Sequence, residues 1–302
     1  MKDRILVFTS ASYLSIKNNQ LEIVNKTTGE IGQEPLDNVG FMLLDSPRIV
    51  LTQSVLMQAA QENIAVLVCD AKHLPSALLL PYQAHCTTTK LAMCQAEAPL
   101  PFKKALWKRL IVQKIKNQLA LLTRIDPASP SVEKLKELGG RVRSGDPDNL
   151  EGQAARYYFK PLYGASFSRI PQKGDYINNC LDYGYTILRS ATARELARAG
   201  LIPQLAIKHK NQYNAHPLAD DMVEPFRPFV DQIVYELQKE QTSEEEATLS
   251  LQARKQLQTL LFMPCRTPKG SSTLLCAIRE ATSSLAKAFL QKDPAWLLTY
   301  DL

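Results

Sequence analysis

Residues His209 to Asp231, HKNQYNAHPLADDMVEPFRPFVD, set two histidines and four carboxylates around the rigid run Pro225-Phe226-Arg227-Pro228. Ordinary amphipathic helices alternate apolar residues with solvated charges and have no need of that mixture. At helical spacing Glu224 shares a face with Asp220 and Asp221. Carboxylates so placed repel one another, and a divalent metal or an arginine must compensate them. Arg227 could neutralise Glu224 at i,i+3, or reach an incoming phosphate while Glu224 holds metal. Pro225 removes a backbone donor and should kink or restart the helix, which fixes the direction of Glu224.

Two further groups could join that chemistry. His209 follows the strand-like Leu205-Ala206-Ile207, and in an extended segment it points opposite to Lys208 and Lys210. A strand-to-helix arrangement would bring His209 and Glu224 to one ion; a purely structural histidine is the competing reading. His216, before Pro217, reads as a helix-opening residue. Glu151 lies in DPDNLEGQAARYYF, where Asp146-Pro147-Asp148 marks a helix start. The helix dipole alone favours a carboxylate in the first turn, yet Arg156 and the two tyrosines beside it suit a helix that meets a phosphate or carboxylate.

Lys103, Lys104, Lys108, Arg109, Lys114 and Lys116, interleaved with Phe102 and Trp107, read either as a solvated helix face with snorkelling stems or as a DNA contact. Arg141 and Arg143 are ambiguous in the same way. No phosphate-binding glycine loop, nucleophile elbow or H-E-x-x-H motif occurs, which removes the common nucleotide-binding, hydrolase and zinc-protease classes.

The elements expected to position these groups fall in two parts. ILVFT, YLSIK, LEIVN, GFMLL and AVLVC read as short strands, with a hairpin turn at Lys17-Asn18-Asn19 and a helix over 52–61 capped by Thr52. From Pro101 onward helical periodicity dominates: 102–124, 131–138, 148–162, 176–199, 218–240, 250–261 and 274–292. The fold class is therefore α+β. A small β-rich N-terminal domain (1–84) precedes a linker (85–100) and a larger all-α catalytic domain (101–302). Ser243-Glu244-Glu245-Glu246 reads as the polar start of a helix.

With 302 residues and 45% hydrophobic content, the chain can bury a substantial core. The net charge of +6 divides unevenly: residues 1–84 hold six Lys/Arg against eight Asp/Glu, and the remainder holds 30 against 22. The positive excess thus lies in the later part, as expected if that part meets phosphates. Six cysteines without C-x-x-C pairing predict neither disulfides nor a structural zinc. The apolar runs are too short for a signal peptide or a membrane span, so a cytoplasmic protein is expected.

EGQAARYYF at 151–159, His209, and LADDMVEPFRPFVD at 218–231 resemble, in order, the motifs of the CRISPR-associated adaptation integrases, the "Cas-one" endonuclease family. In that family a glutamate opens an E-x-x-A-A-R-x-Y segment, a histidine follows, and an acidic residue lies in D-x-x-E-P-F-R-P. The spelling ADDMVEPFRP is most similar to members from type II systems. The resemblance spans the whole chain and implies a small β-rich domain followed by a helical catalytic one. It implies that Glu151, His209 and Glu224 bind metal, Mg²⁺ or Mn²⁺, and carry catalysis. Asp220, Asp221 and Arg227 stand behind them, Asp221 as an alternative ligand and Asp220 as a bond to the helix start.

The implied reaction is metal-dependent phosphodiester transesterification: the 3′-hydroxyl of a short captured DNA attacks at the border of a CRISPR repeat, and water in its place makes the site a nuclease. His209 could instead act as a base. The implied partners are the captured duplex and the CRISPR repeat, a second copy of the chain, the smaller "Cas-two" protein, the RNA-guided effector nuclease and other adaptation proteins. DNA-contact candidates are Lys103, Lys104, Lys108, Arg109, Arg156, Lys208 and Lys210; the N-terminal domain, lacking positive charge, suits dimerisation. The alternatives are a non-catalytic DNA-binding scaffold whose carboxylates pair with Arg156 and Arg227, and a metal-dependent nuclease of DNA repair.

Overall fold

The computed structural model describes residues 4–71, 73, 75–81, 87–171, 173–240, 249–267 and 270–302. The Ser243 to Glu246 run and Cys86 lie outside them. The chain divides into two compact units, Met1–Cys86 and Thr87–Leu302.

The first unit holds β1 (Arg4–Phe8), β2 (Ser12–Lys17), β3 (Gln20–Asn25), β4 (Ile31–Pro35), β5 (Val39–Leu44), β6 (Val50–Leu51), α1 (Gln53–Gln61), β7 (Ala65–Cys69) and β8 (Pro75–Leu79). One sheet has the order β1-β5-β7-β8, parallel except for the last pair; the other has the order β4-β3-β2-β6. Strand β5, VGFMLL, is apolar at nearly every position and buried along its whole length, as an inner strand of a parallel sheet must be. Its partners in the core include Leu14, Leu21, Val55 and Ile64. The expected β2–β3 hairpin is present: Lys17 pairs with Gln20 across Asn18 and Asn19, both at positive φ, which asparagine tolerates. Thr52 sits at the start of α1 without a side-chain cap bond; its hydroxyl meets Ser54 Oγ at 2.7 Å instead.

The second unit contains α2 (Thr88–Ala96), α3 (Leu100–Ile125), α4 (Pro130–Arg141), α5 (Leu150–Tyr163), α6 (Tyr176–Arg198), α7 (Pro217–Val223), α8 (Arg227–Glu240), α9 (Leu251–Gln258), β9 (Pro264–Thr267), β10 (Gly270–Thr273) and α10 (Leu274–Gln291). Two expectations need correction. Residues 85–100, read as a linker, contain α2, whose buried Gln95 ties to the backbone of Ile202 and Leu205. The helical part is also not purely α: β9 and β10 form an antiparallel hairpin. Among the described residues no helix is long and apolar enough to cross a membrane. The five described cysteines form no disulfide, and Cys69, Cys180 and Cys265 are buried.

Helix α6 is the axis of this unit and is buried on nearly every side. Its packing depends on Gly184. A Cβ there would lie 2.4 Å from Val230 Cγ1 on α8 and 3.2 Å from Leu257 Cδ2 on α9. Gly184→Ala should therefore destabilise the protein by about 1–3 kcal/mol through overpacking, although alanine is the better helix former by about 1 kcal/mol. A thermal melt lowered by roughly 2–4 °C per kcal/mol is the expected readout; an unchanged melt would refute the close approach.

Candidate active site

The first candidate carboxylate is placed by an unusual helix start. Asp146 and Asn149 both take positive φ, a conformation that short polar side chains adopt with little strain. Asp146 accepts from Leu150 N (2.9 Å) and Glu151 N (3.1 Å), and Asn149 Oδ1 accepts from Gly152 N. The first turn of α5 is thereby capped, and Glu151 projects from it where the helix dipole favours negative charge.

The second comes from a broken helix. Pro225 ends α7, and a single 3₁₀ turn over Glu224–Phe226 joins it to α8. The restart expected at Pro225 is thus observed. The carbonyl of Pro225 accepts from Asn117 Nδ2 of α3 at 2.7 Å, so the turn carrying Glu224 is fastened to α3.

Glu151 and Glu224 meet at Lys114, which α3 buries along with Leu110, Ile111 and Ile115. Its ammonium lies 2.6 Å from Glu151 Oε1 and 2.5 Å from Glu224 Oε2. Arg227 Nε donates to the other oxygen of Glu224 at 3.0 Å, and its guanidinium stacks on Tyr185. Burial pushes the Glu224 carboxyl up, but the charges of Arg227 and Lys114, the Lys114 hydrogen bond and His209 together outweigh it and hold the group at about 2. Burial likewise lowers the Lys114 ammonium, and Glu224 and Glu151 override it, so the lysine is raised.

His209 is not on a strand. Residues 205–210 form bends and irregular chain, wrapped around the fully buried Asp221. That carboxylate accepts from the backbone N–H groups of Ile207 (2.6 Å), Lys208 (3.0 Å) and His209 (3.2 Å), and it holds His209 Nδ1 at 2.7 Å. The ring packs edge-on against Trp107. The hydrogen bond to Asp221 raises the imidazole, burial opposes it, and the Asp221, Glu224 and Asp220 charges add to the rise. In the neutral ring with Nδ1–H toward Asp221, Nε2 carries the lone pair.

The carboxylates grouped by sequence spacing therefore separate. Asp220 pairs with Arg189 (2.7 Å) and Asn214, and it does not bond the start of α7. Asp221 is consumed by the His209 segment, and only Glu224 faces Glu151. Each has its own compensating partner, so the three do not form one repelling cluster on a shared helix face as the spacing suggested. Among the described residues no three His, Cys, Asp or Glu side chains are gathered as around a bound ion; the Lys114 ammonium stands between the two glutamates. His216 occupies the N-cap position of α7, its Nδ1 buried without a hydrogen-bond partner, and burial lowers its pKa.

Lys104, Lys108, Arg156, Lys208 and Lys210 are exposed and Lys103 partly so. Arg109 is different: its guanidinium donates to Leu297 O at 2.7 Å, a structural tie within the unit. A cavity of about 210 Å³ adjoins the carboxylates, with Gln118, Arg169 and Asp231 among its lining. Sequence reading passed over Lys114, Gln118 and Asp231 as site residues; the available signal was polar residues at 114, 117 and 118 inside the apolar stripe of α3.

Asp231 is fully buried and accepts from Tyr158 OH (2.9 Å) and Tyr185 OH. Burial pushes its carboxyl up to about 6, above the 3.8 of an exposed aspartate, and the two tyrosines only partly offset this. A carboxyl raised on folding stabilises below its unfolded value, and that contribution is lost as pH rises through the folded one. The wild type should therefore lose stability relative to Asp231→Asn between about pH 4 and pH 6, as melts of both proteins across that range would register. Parallel pH profiles would disprove it.

A family model described as CRISPR associated protein Cas1 matches residues 5–259. The chain belongs to the Cas1 family. A relative from Neisseria meningitidis serogroup C (strain 8013), the CRISPR-associated endonuclease Cas1, is 31% identical over 290 residues, covering 96% of this chain and 93% of that protein. A Cas1 endonuclease of Pyrobaculum aerophilum is 28% identical over 230 residues, 71% of this chain and 76% of the relative. Solved structures share the fold. A Cas1 protein from Thermotoga maritima superposes with a TM-score of 0.75 at 16% identity, over 95% of this chain and 97% of its own. A casposase bound to an integration product gives 0.76 at 21%, over 96% and 91%. A chain of a Cas6-RT-Cas1–Cas2 complex gives 0.76 at 22%; this chain is 99% covered and spans 36% of that longer one. The α+β class read from the sequence agrees with these Cas1 folds.

Proposed function

We propose that this Cas1 family member is the integrase and endonuclease of CRISPR adaptation, inserting short foreign DNA into a CRISPR array through 3′-hydroxyl attack on a phosphodiester. Family membership and a relative named as an endonuclease support the nuclease chemistry. The observation that carries the reading is the meeting of Glu151 and Glu224, 73 residues apart in sequence (224 − 151), at one buried positive charge. Oxygen ligands that converge on a cation, with an imidazole held by a buried aspartate nearby, form a donor set that fits a hard divalent ion.

Glu151, Glu224 and His209 would hold Mg²⁺ or Mn²⁺. Such an ion supplies Lewis-acid polarisation of a phosphodiester oxygen. The chain's own groups do the rest. Asp221 fixes the His209 ring, so its second nitrogen ligates or takes the proton of the attacking hydroxyl. Arg227, locked between Glu224 and Tyr185, contributes fixed positive charge for a phosphate. A DNA 3′-hydroxyl as nucleophile gives a joined product and water gives a cut one. The exposed lysines, with Arg156, would contact the duplex backbone without reading sequence. A second copy and a smaller Cas2 partner complete the assembly, and the RNA-guided effector nuclease and other adaptation proteins would supply the DNA. The Cas2 partner draws support from the complexes in which fold relatives were solved.

The test is a strand-transfer assay with the protein, its Cas2 partner, a short duplex and a supercoiled plasmid carrying a CRISPR repeat, in Mn²⁺, Mg²⁺ or chelator. Metal-dependent joined product is expected. DNA binding without joining in every metal would leave the scaffold reading, and cleavage of branched DNA alone would leave the repair reading.

A further inference from the structure

Lys114 stands where the two proposed metal ligands face one another, and the charges there are balanced: Glu151 and Glu224 against Lys114 and Arg227. Lys114 is 8% exposed and Glu224 3%. A divalent cation added to that set would leave two positive charges uncompensated beside the buried Lys114 and Glu224, with only Glu151 partly exposed, which reduced local dielectric makes unfavourable. One resident cation must give way. Arg227 is held by its hydrogen bond and its stack on Tyr185, whereas Lys114 ends a flexible four-carbon stem.

The adjoining cavity can receive it. Gln118 lies one helical turn beyond Lys114 and lines the same space, is 2% exposed, and its Oε1 has no hydrogen-bond partner. An orphaned buried acceptor is costly and is relieved by an arriving donor. Asp231 on the same wall adds negative charge, and the Arg169 guanidinium that also lines the space is itself paired with Asp182 at 2.6 Å. We propose that Lys114 is a displaceable resident cation, which occupies the space between Glu151 and Glu224 in the metal-free protein and moves into the cavity toward Gln118 Oε1 when Mg²⁺ or Mn²⁺ is taken up. The proposal rests on the metal reading of the site given above.

Mn²⁺ binding to the full chain, followed by electron paramagnetic resonance at fixed pH, separates the two. Wild type should bind and Glu151→Gln should bind more weakly. Lys114→Met should bind at least about tenfold more tightly than wild type, and Gln118→Met more weakly, because the displaced ammonium loses its acceptor. Equal or weaker binding by a folded Lys114→Met would overturn the displacement while leaving the metal site standing. Wild-type binding insensitive to Glu151→Gln would remove the metal reading, and the displacement with it. If Lys114→Met does not fold, wild-type crystals soaked in Mn²⁺ decide: anomalous density between the carboxylates with the ammonium shifted toward Gln118 supports the proposal, and an ammonium still bridging both carboxylates overturns it.

Discussion

Glu151→Gln should lower strand transfer by about a thousandfold or more while DNA binding stays the same or tightens. The glutamine keeps the shape of the side chain and an oxygen for Lys114, so the first turn of α5, capped by Asp146 and Asn149, should remain folded. What disappears is one of the two negative charges that face a single cation. A thousandfold loss corresponds to about 4 kcal/mol of transition-state stabilisation, within the several kcal/mol that an organised metal site contributes. Removing a carboxylate from a surface proposed to meet phosphate should, if anything, favour the DNA. The check is joined product per unit time together with a binding isotherm and a circular dichroism melt. Product within about tenfold of wild type would exclude Glu151 from the catalytic set.

Asp221→Ala should damage both stability and activity. The wild-type carboxylate is fully buried and satisfies three backbone N–H groups and His209 Nδ1. Each buried donor left without a partner costs about 1–3 kcal/mol, and with partial relaxation of residues 207–209 a total near 3–5 kcal/mol is expected. The melting temperature should fall by roughly 2–4 °C per kcal/mol, and strand transfer should drop even where the variant is folded, because the imidazole loses its orientation. The His209 contribution has a sign: a histidine raised on folding stabilises below its unfolded value near 6.5 and loses that contribution as pH rises through the folded one. The cost should therefore be larger at pH 6 than well above the raised value, though solvent damps the difference because the imidazole is 41% exposed. A melt unchanged from wild type would show that water replaces the carboxylate without penalty.

What could be read from the sequence, and what could not, follows from range. The Asn18-Asn19 turn, the continuous apolar run of β5 and the restart at Pro225 are local, set by φ preference, burial and a missing donor. Strand β4, IGQEP, is largely exposed and has no alternating apolar pattern, so it was missed. Asp220, Asp221 and Glu224 were grouped by helical spacing, but the 3₁₀ turn and the distant partners Arg189, His209 and Lys114 send them three ways. Lys114 carries only a weak signal in the sequence because its partners lie 37 and 110 positions away; among the lysines on α3 only its place inside the apolar stripe sets it apart. Glu151, His209 and Glu224 were named through motif resemblance, whereas the charge balance between the two glutamates is a tertiary property.

Residues 297–302 lie across α3. Leu297 O accepts from Arg109, Tyr300 O from Gln113 and Asn117, and Leu302 N donates back to Asn117 Oδ1. Asn117 is the same side chain that fastens the Glu224 turn. On the ribosome, α3 and Glu151 emerge long before these strands of backbone do, and contacts of such sequence separation carry a large loop-closure cost. A half-made chain thus carries α3 and Glu151 before Asn117 has its full set of partners. Biosynthesis itself then delays the moment at which the turn carrying Glu224 is firmly fastened, so the proposed metal ligands are held in place only after residues 297–302 have been made.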